Sequence, residues 1–283
     1  MAVRLVAVAL SCWTVANLPA AANAQEPPPE SPPEALAATG SGVLPALGRE
    51  ARLYLADSKA ILVAPFHWSQ TDIEKALGAA AIVGGVMVFD KRLAAESQER
   101  RSGFTNSLSK TTTPFGAYAA YGVSSVLIVG GLAFKDSPVT TMGREALEAA
   151  LLSDLVSSVL KPVFGRERPY VSDNETSFKP FTKNYSFPSG HATVAFATAS
   201  VIAARSSGWL VPTVAYTVAT LVAFDRVNDR QHFPSDVIAG GIIGITIGRF
   251  IVHRHQKAEA AQAPKAEFTL FPIRNGLGFA ARF

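Results

Sequence analysis

The chain has 283 residues, of which 48% are apolar and 17% charged, and its formal net charge is +4. That length suits one large domain with tails. No long Lys/Arg run is present, so no nucleic-acid partner is expected, and the apolar share falls short of a typical multi-span transporter.

Residues 1–24 read as an export signal. Arg4 supplies the positive start, Leu5 to Leu18 the apolar stretch, and Ala22-Asn23-Ala24 a small-x-small cleavage site before Gln25. A fourteen-residue stretch is short for a membrane span. Cys12 is the only cysteine, so the mature chain is expected to hold no intrachain disulfide. The expected location is exported, either periplasmic or membrane-associated and facing the periplasm.

Residues 25–48 are rich in Pro, Glu, Ala and Ser without periodicity, and read as a disordered linker. The expected main domain covers 49–257, opening with a short amphipathic segment from Arg49 to Val63 that Pro65 breaks. Thr71 and Glu74 have capping-box spacing and predict a helix running to Phe89. Further helices are expected over Phe115–Phe134, Gly143–Leu160, Thr193–Ala204, Trp209–Phe224 and Val237–Ile251. The tail, 258–283, alternates loosely around Asn275-Gly276 and predicts a short β-hairpin.

Three clusters carry chemistry. The first runs from Lys161 through Arg166 and Arg168 to Pro169, which is expected to stop the preceding helix. Cations suit a helix C-terminus in any case. The second is Pro188-Ser189-Gly190-His191, directly before an apolar helix. Free N–H groups at a helix start form an anion site, and His191 is placed to face its contents. In the third, Arg226 precedes His232, and Asp236 follows four residues later in the first turn of a helix opened by Pro234. A carboxylate there can orient one imidazole nitrogen and leave the other nucleophilic. Each cluster alone could be a helix cap. Together they provide what phosphoryl transfer needs: cations for the oxygens, an in-line nucleophile and an acid for the leaving group. No His/Asp/Glu/Cys grouping has metal-ligand spacing, so no metal or other cofactor is expected.

Lys161-x6-Arg168-Pro169, Pro188-Ser189-Gly190-His191 and Arg226-x5-His232-x3-Asp236 resemble the three motifs of the type 2 phosphatidic acid phosphatase superfamily, which includes bacterial acid phosphatases and vanadium haloperoxidases. The resemblance covers about Leu127 to Ile251. It implies an all-α fold, a six-helix bundle of the acid phosphatase/vanadium haloperoxidase type. It also implies hydrolysis of phosphate monoesters or lipid phosphates through phosphohistidine. His232 would be the nucleophile, Asp236 its positioner and His191 the acid for the leaving oxygen. Lys161, Arg168 and Arg226 would grip phosphate with Ser189 and the Gly190 N–H. Vanadate is expected to bind as a phosphate mimic. One departure is Asp225, where the family usually has Ser; it places a negative charge near the anion site. A vanadate-dependent haloperoxidase and an inactive phosphate-binding envelope protein are the alternatives.

The remaining candidates read as structural. His67 lies in a break between helices. His253 and His255 look like a basic solvated end, and Glu145, Glu148 and Asp154 like a polar face or partners for nearby Arg. Three acids on one helix, and only twelve residues in Thr193–Ala204, oppose a spanning arrangement. Phe115–Phe134 and the basic residues Lys91, Arg92, Arg100 and Arg101 before it favour one.

Overall fold

The computed structural model describes residues 43–112, 116–262, 267–273 and 276–282. The export signal and most of the 25–48 linker lie outside the described residues. So do Asn275 and Phe283 at the expected hairpin. Described in chain order, the helices are α1 (Val43–Val63), α2 (Gln70–Met87), α3 (Asp90–Glu99), α4 (Gly103–Thr112), α5 (Gly116–Ala133), α6 (Ser137–Phe164), α7 (Gly190–Arg205), α8 (Leu210–Asn228) and α9 (Pro234–Gln262). A 3-10 turn, Ala64–His67, follows α1. Strands β1 (Glu267–Ile273) and β2 (Gly276–Arg282) pair antiparallel, with Glu267 opposite Arg282 and Ile273 opposite Gly276.

The molecule is mostly helical, and the helix count departs from the expected six: nine α-helices occur among the described residues. The additional ones are α1, whose residues were read as linker and amphipathic segment, and the short α3 and α4, which lack a long apolar run. Capping also corrects two boundaries. Ser69, not Thr71, caps α2: its hydroxyl accepts from the Asp72 N–H, and Asp72 accepts back from the Ser69 N–H at 3.1 Å. Pro169 does not stop α6. That helix ends at Phe164 because Gly165 turns left-handed at φ 58°. A Cβ there would meet the Lys179 carbonyl oxygen at 1.8 Å, so only glycine fits.

The core is built on α6, α7 and α9, through Ala146, Ala149, Ala197, Val201, Ile247 and Ile251. Their close approach is set by glycines four residues apart on α9. Cβ atoms added at Gly240, Gly244 and Gly248 would fall 2.6, 2.2 and 2.5 Å from the carbonyl oxygens of Ser189, Thr193 and Ala197 on the α7 side. Backbone therefore rests on backbone, as in small-xxx-small helix pairs. This contact fixes the N-terminal end of α9 against that of α7.

The outer faces are apolar. Ile73, Leu77 and Ile82 on α2, Val126, Val129 and Leu132 on α5, Leu155 and Val159 on α6, and Leu210, Val214 and Val218 on α8 are exposed. Helices α8 and α9 are long and apolar enough to cross a membrane; α9 is the more buried of the two. The two sequence arguments against spanning weaken here. Glu145 and Glu148 of α6 are buried inside the bundle rather than exposed on its surface. Helix α7 has 16 residues rather than twelve, because it already begins at Gly190.

Candidate active site

The three motifs meet at one end of the bundle, where α6 finishes and α7 and α9 begin. The Ser189 N–H donates to the Asp236 carbonyl at 3.0 Å, which joins the second motif to the third. Arg168 Nη1 donates to Gln231 Oε1 at 2.6 Å, which joins the first to the third. A Cβ at Gly190 would lie 3.0 Å from Lys161 Nζ, so the ammonium sits against the glycine that opens α7. The N–H groups of Gly190 and His191 fall in the first turn of α7, where helix geometry supplies no acceptor. Ser189 precedes them as N-cap, and its buried hydroxyl has no hydrogen-bond partner. A Ser at this position normally caps its own helix; this one keeps its hydroxyl for something else.

His232 is buried, with Ser186 and Asp236 both beside its Nδ1. The imidazole Nδ1 lies 2.7 Å from the Ser186 carbonyl oxygen, which can only accept, so Nδ1 carries the proton. Asp236 Oδ2 lies 3.7 Å from the same nitrogen, beyond hydrogen-bond reach. The Asp236 carboxylate is occupied elsewhere. It accepts from Arg166 Nη1 at 2.5 Å, Ser186 Oγ at 2.6 Å and the Phe233 N–H at 2.8 Å. Asp236 therefore holds Ser186 and the start of α9, and Ser186 in turn orients the histidine, leaving Nε2 as the unprotonated nitrogen. Burial holds the His232 imidazolium below its ordinary pKa. Arg168 and Lys161 push the same way, and Asp236 opposes them.

Asp225 lies directly beside one of the expected cations. Its carboxylate pairs with the guanidinium of Arg226, and both side chains are buried. The expected phosphate-binding cation is thus partly neutralised by its own neighbour.

Arg166, Asp90, Ser186 and Ser235 were not singled out from the sequence. Arg166 is fully buried and lies between two carboxylates, Asp90 at 2.8 Å and Asp236 at 2.5 Å. Its guanidinium stacks over the Phe233 ring at 4.4 Å. Asp90, at the start of α3, also accepts from the Ser235 N–H at 2.8 Å. Arg166 stood inside the first motif as one of several cations. Asp90 gave no local signal, since it reaches the site from 76 positions earlier in the chain.

The comparisons with known proteins fit this arrangement of motifs. The PAP2 superfamily model matches residues 143–260, a stretch holding all three motifs. The PAP2 stretch is 34% identical over 108 residues to a lipid A 1-phosphatase of Porphyromonas gingivalis, covering 37% of this chain and 21% of the relative. It is 33% identical over 95 residues to an undecaprenyl-diphosphatase of Sulfolobus acidocaldarius, covering 33% of this chain and 46% of the relative. The chain thus spans less than half of either relative. A solved transmembrane PAP2-type phosphatidylglycerolphosphate phosphatase from Bacillus subtilis aligns with TM-score 0.47 and 22% identity, over 74% of this chain and 96% of that one.

Proposed function

We propose that this protein is a membrane-embedded, metal-independent phosphatase that acts on lipid phosphates through a phosphohistidine at His232. The observation that carries the reading is the Ser186–His232 contact at 2.7 Å. It supports the Nδ1–H tautomer, in which Nε2 is the nitrogen available to attack phosphorus.

In the first step Nε2 attacks phosphorus. The bond from phosphorus to the leaving oxygen breaks, and His191 delivers a proton to that oxygen. In the second step His191 takes a proton from water, water oxygen bonds to phosphorus, and the N–P bond breaks to release inorganic phosphate. Lys161, Arg168 and Arg226, with the Ser189 hydroxyl and the Gly190 N–H, stabilise charge on the equatorial oxygens.

Two features support a lipid substrate over a soluble ester. The bundle exterior is apolar. The loop between α6 and α7, at the catalytic end, exposes Tyr170, Val171, Phe181 and Tyr185, side chains suited to a bilayer interface. The named relatives are phosphatases of lipid A and of undecaprenyl diphosphate, and no observation favours the haloperoxidase reading.

The test is phosphate release from phosphatidate, a polyprenyl diphosphate and p-nitrophenyl phosphate, each in mixed micelles. Wild type is expected to prefer a lipid, to form an acid-labile phosphoenzyme and to keep its initial rate in EDTA. His232→Ala is expected to lose turnover and phosphoenzyme together. Full turnover in that variant overturns the mechanism, and a preference for the soluble ester overturns the substrate class.

A further inference from the structure

A second polar cluster lies at the other end of the bundle. Glu148 is thirteen residues before Lys161 on α6, about 20 Å along the axis at about 1.5 Å per residue. His255, read from sequence as part of a solvated basic end, is mostly buried here. Its Nδ1 faces Glu145 Oε1 at 3.1 Å. Its Nε2 faces two carboxylates, Asp57 Oδ2 at 3.0 Å and Glu148 Oε2 at 3.6 Å.

Glu148 is the anomaly. It is 1% exposed, and neither of its oxygens has a hydrogen-bond partner. A buried carboxylate left this way has lost its water without gaining a donor in exchange. The other members are satisfied: Asp57 also accepts from Arg254 Nε at 2.7 Å, and Glu145 pairs with Arg205, which also reaches Glu259. Of the three buried acids around His255, only Glu148 is left without a donor.

The geometry points to a divalent-cation site formed by Asp57 of α1, Glu148 of α6 and His255 Nε2 of α9. One ligand atom from each lies within 4.8 Å of the others. Bonds of about 2.0–2.2 Å set neighbouring ligands roughly 3.0–3.5 Å apart, close to the two separations at Nε2. The cation replaces the Nε2 proton. Nδ1–H continues to donate to Glu145, the carboxylate–histidine support that ligating histidines normally have. One imidazole with two carboxylates suits a first-row ion such as Mn2+ or Zn2+. The site joins α1 to the bundle and is remote from His232. From sequence it was invisible, because each ligand comes from a different helix.

The test uses detergent-purified full-length protein, stripped with chelator and titrated with MnCl2 or ZnCl2. One ion per chain is expected by calorimetry, with a rise of several degrees in the unfolding midpoint. Glu148→Gln is expected to lower affinity at least tenfold, and His232→Ala to bind like wild type. Mn2+ electron spin resonance on unsubstituted protein labelled with 15N-histidine is expected to show imidazole nitrogen coupling, a readout independent of how any variant folds. No stoichiometric binding, binding unchanged in Glu148→Gln, or no nitrogen coupling overturns the site. Metal binding intact in an inactive His232→Ala protein separates its outcome from that of the phosphatase reading.

Discussion

Arg166 Nη1 donates to Asp236 Oδ1 at 2.5 Å, and both side chains are fully buried. With Asp90 on its other side, Arg166 links α3, the end of α6 and the start of α9. Removing one member of a buried ion group strands the rest, at about 3–5 kcal/mol. Arg166→Ala should therefore lower the unfolding midpoint in detergent markedly, and Asp90→Asn less so. Arg166→Lys keeps the charge but loses the planar fork, so it should recover part of the stability while turnover stays at least tenfold down.

The pH profile follows from the lowered His232 pKa. The imidazole protonates only as pH falls through that depressed value, so the nucleophile stays neutral into mildly acid solution. The acid limb of kcat/KM, which reports free-enzyme groups, should fall below the ordinary histidine value of about 6.5. Arg168→Gln removes one of the cations that depress it, so its acid limb should move to higher pH. A limb that stays in place, or moves lower, would contradict the assignment of that limb to His232.

Asp225 competes with phosphate for the Arg226 guanidinium. Asp225→Ser should release that cation, tightening vanadate and phosphate inhibition several-fold and lowering KM. Inhibition constants for wild type and variant check this directly. Weaker inhibition in the variant would mean that Asp225 holds Arg226 in its working position.

The glycines of the bundle should divide by position. Gly244→Val places a side chain 2.2 Å from the Thr193 carbonyl oxygen and should separate α9 from α7, costing both stability and activity. Gly84→Ala on α2 meets nothing within 4 Å. It should be neutral or stabilising by about 0.5–1 kcal/mol from helix propensity. Thermal unfolding of the two variants under identical conditions makes the comparison.

Much of the candidate site was legible in the sequence because its chemistry is local. Ser189-Gly190-His191 and His232 with Asp236 lie within a turn of a helix start, where spacing by itself implies proximity. Apolar runs likewise marked α2, α5, α6, α7, α8 and α9. The short polar helices α3 and α4 escaped notice, since a helix held by tertiary contacts needs no long apolar stretch.

The sequence by itself determined the set of reactive groups and the order of the three motifs: a histidine nucleophile candidate, a second histidine, and cations to hold phosphate. Only the tertiary structure decided how they are held. Ser186 bonds His232 Nδ1 directly, while Asp236 stays at 3.7 Å and is bound by Arg166, Ser186 Oγ and the Phe233 N–H. Asp225 takes the Arg226 guanidinium, and Asp90 closes on Arg166 from far along the chain. Spacing can show that a carboxylate is near enough to a histidine to bond it. Which donor wins that carboxylate depends on side chains that folding brings in from other helices, and a buried acceptor has only a few lone pairs to share among them.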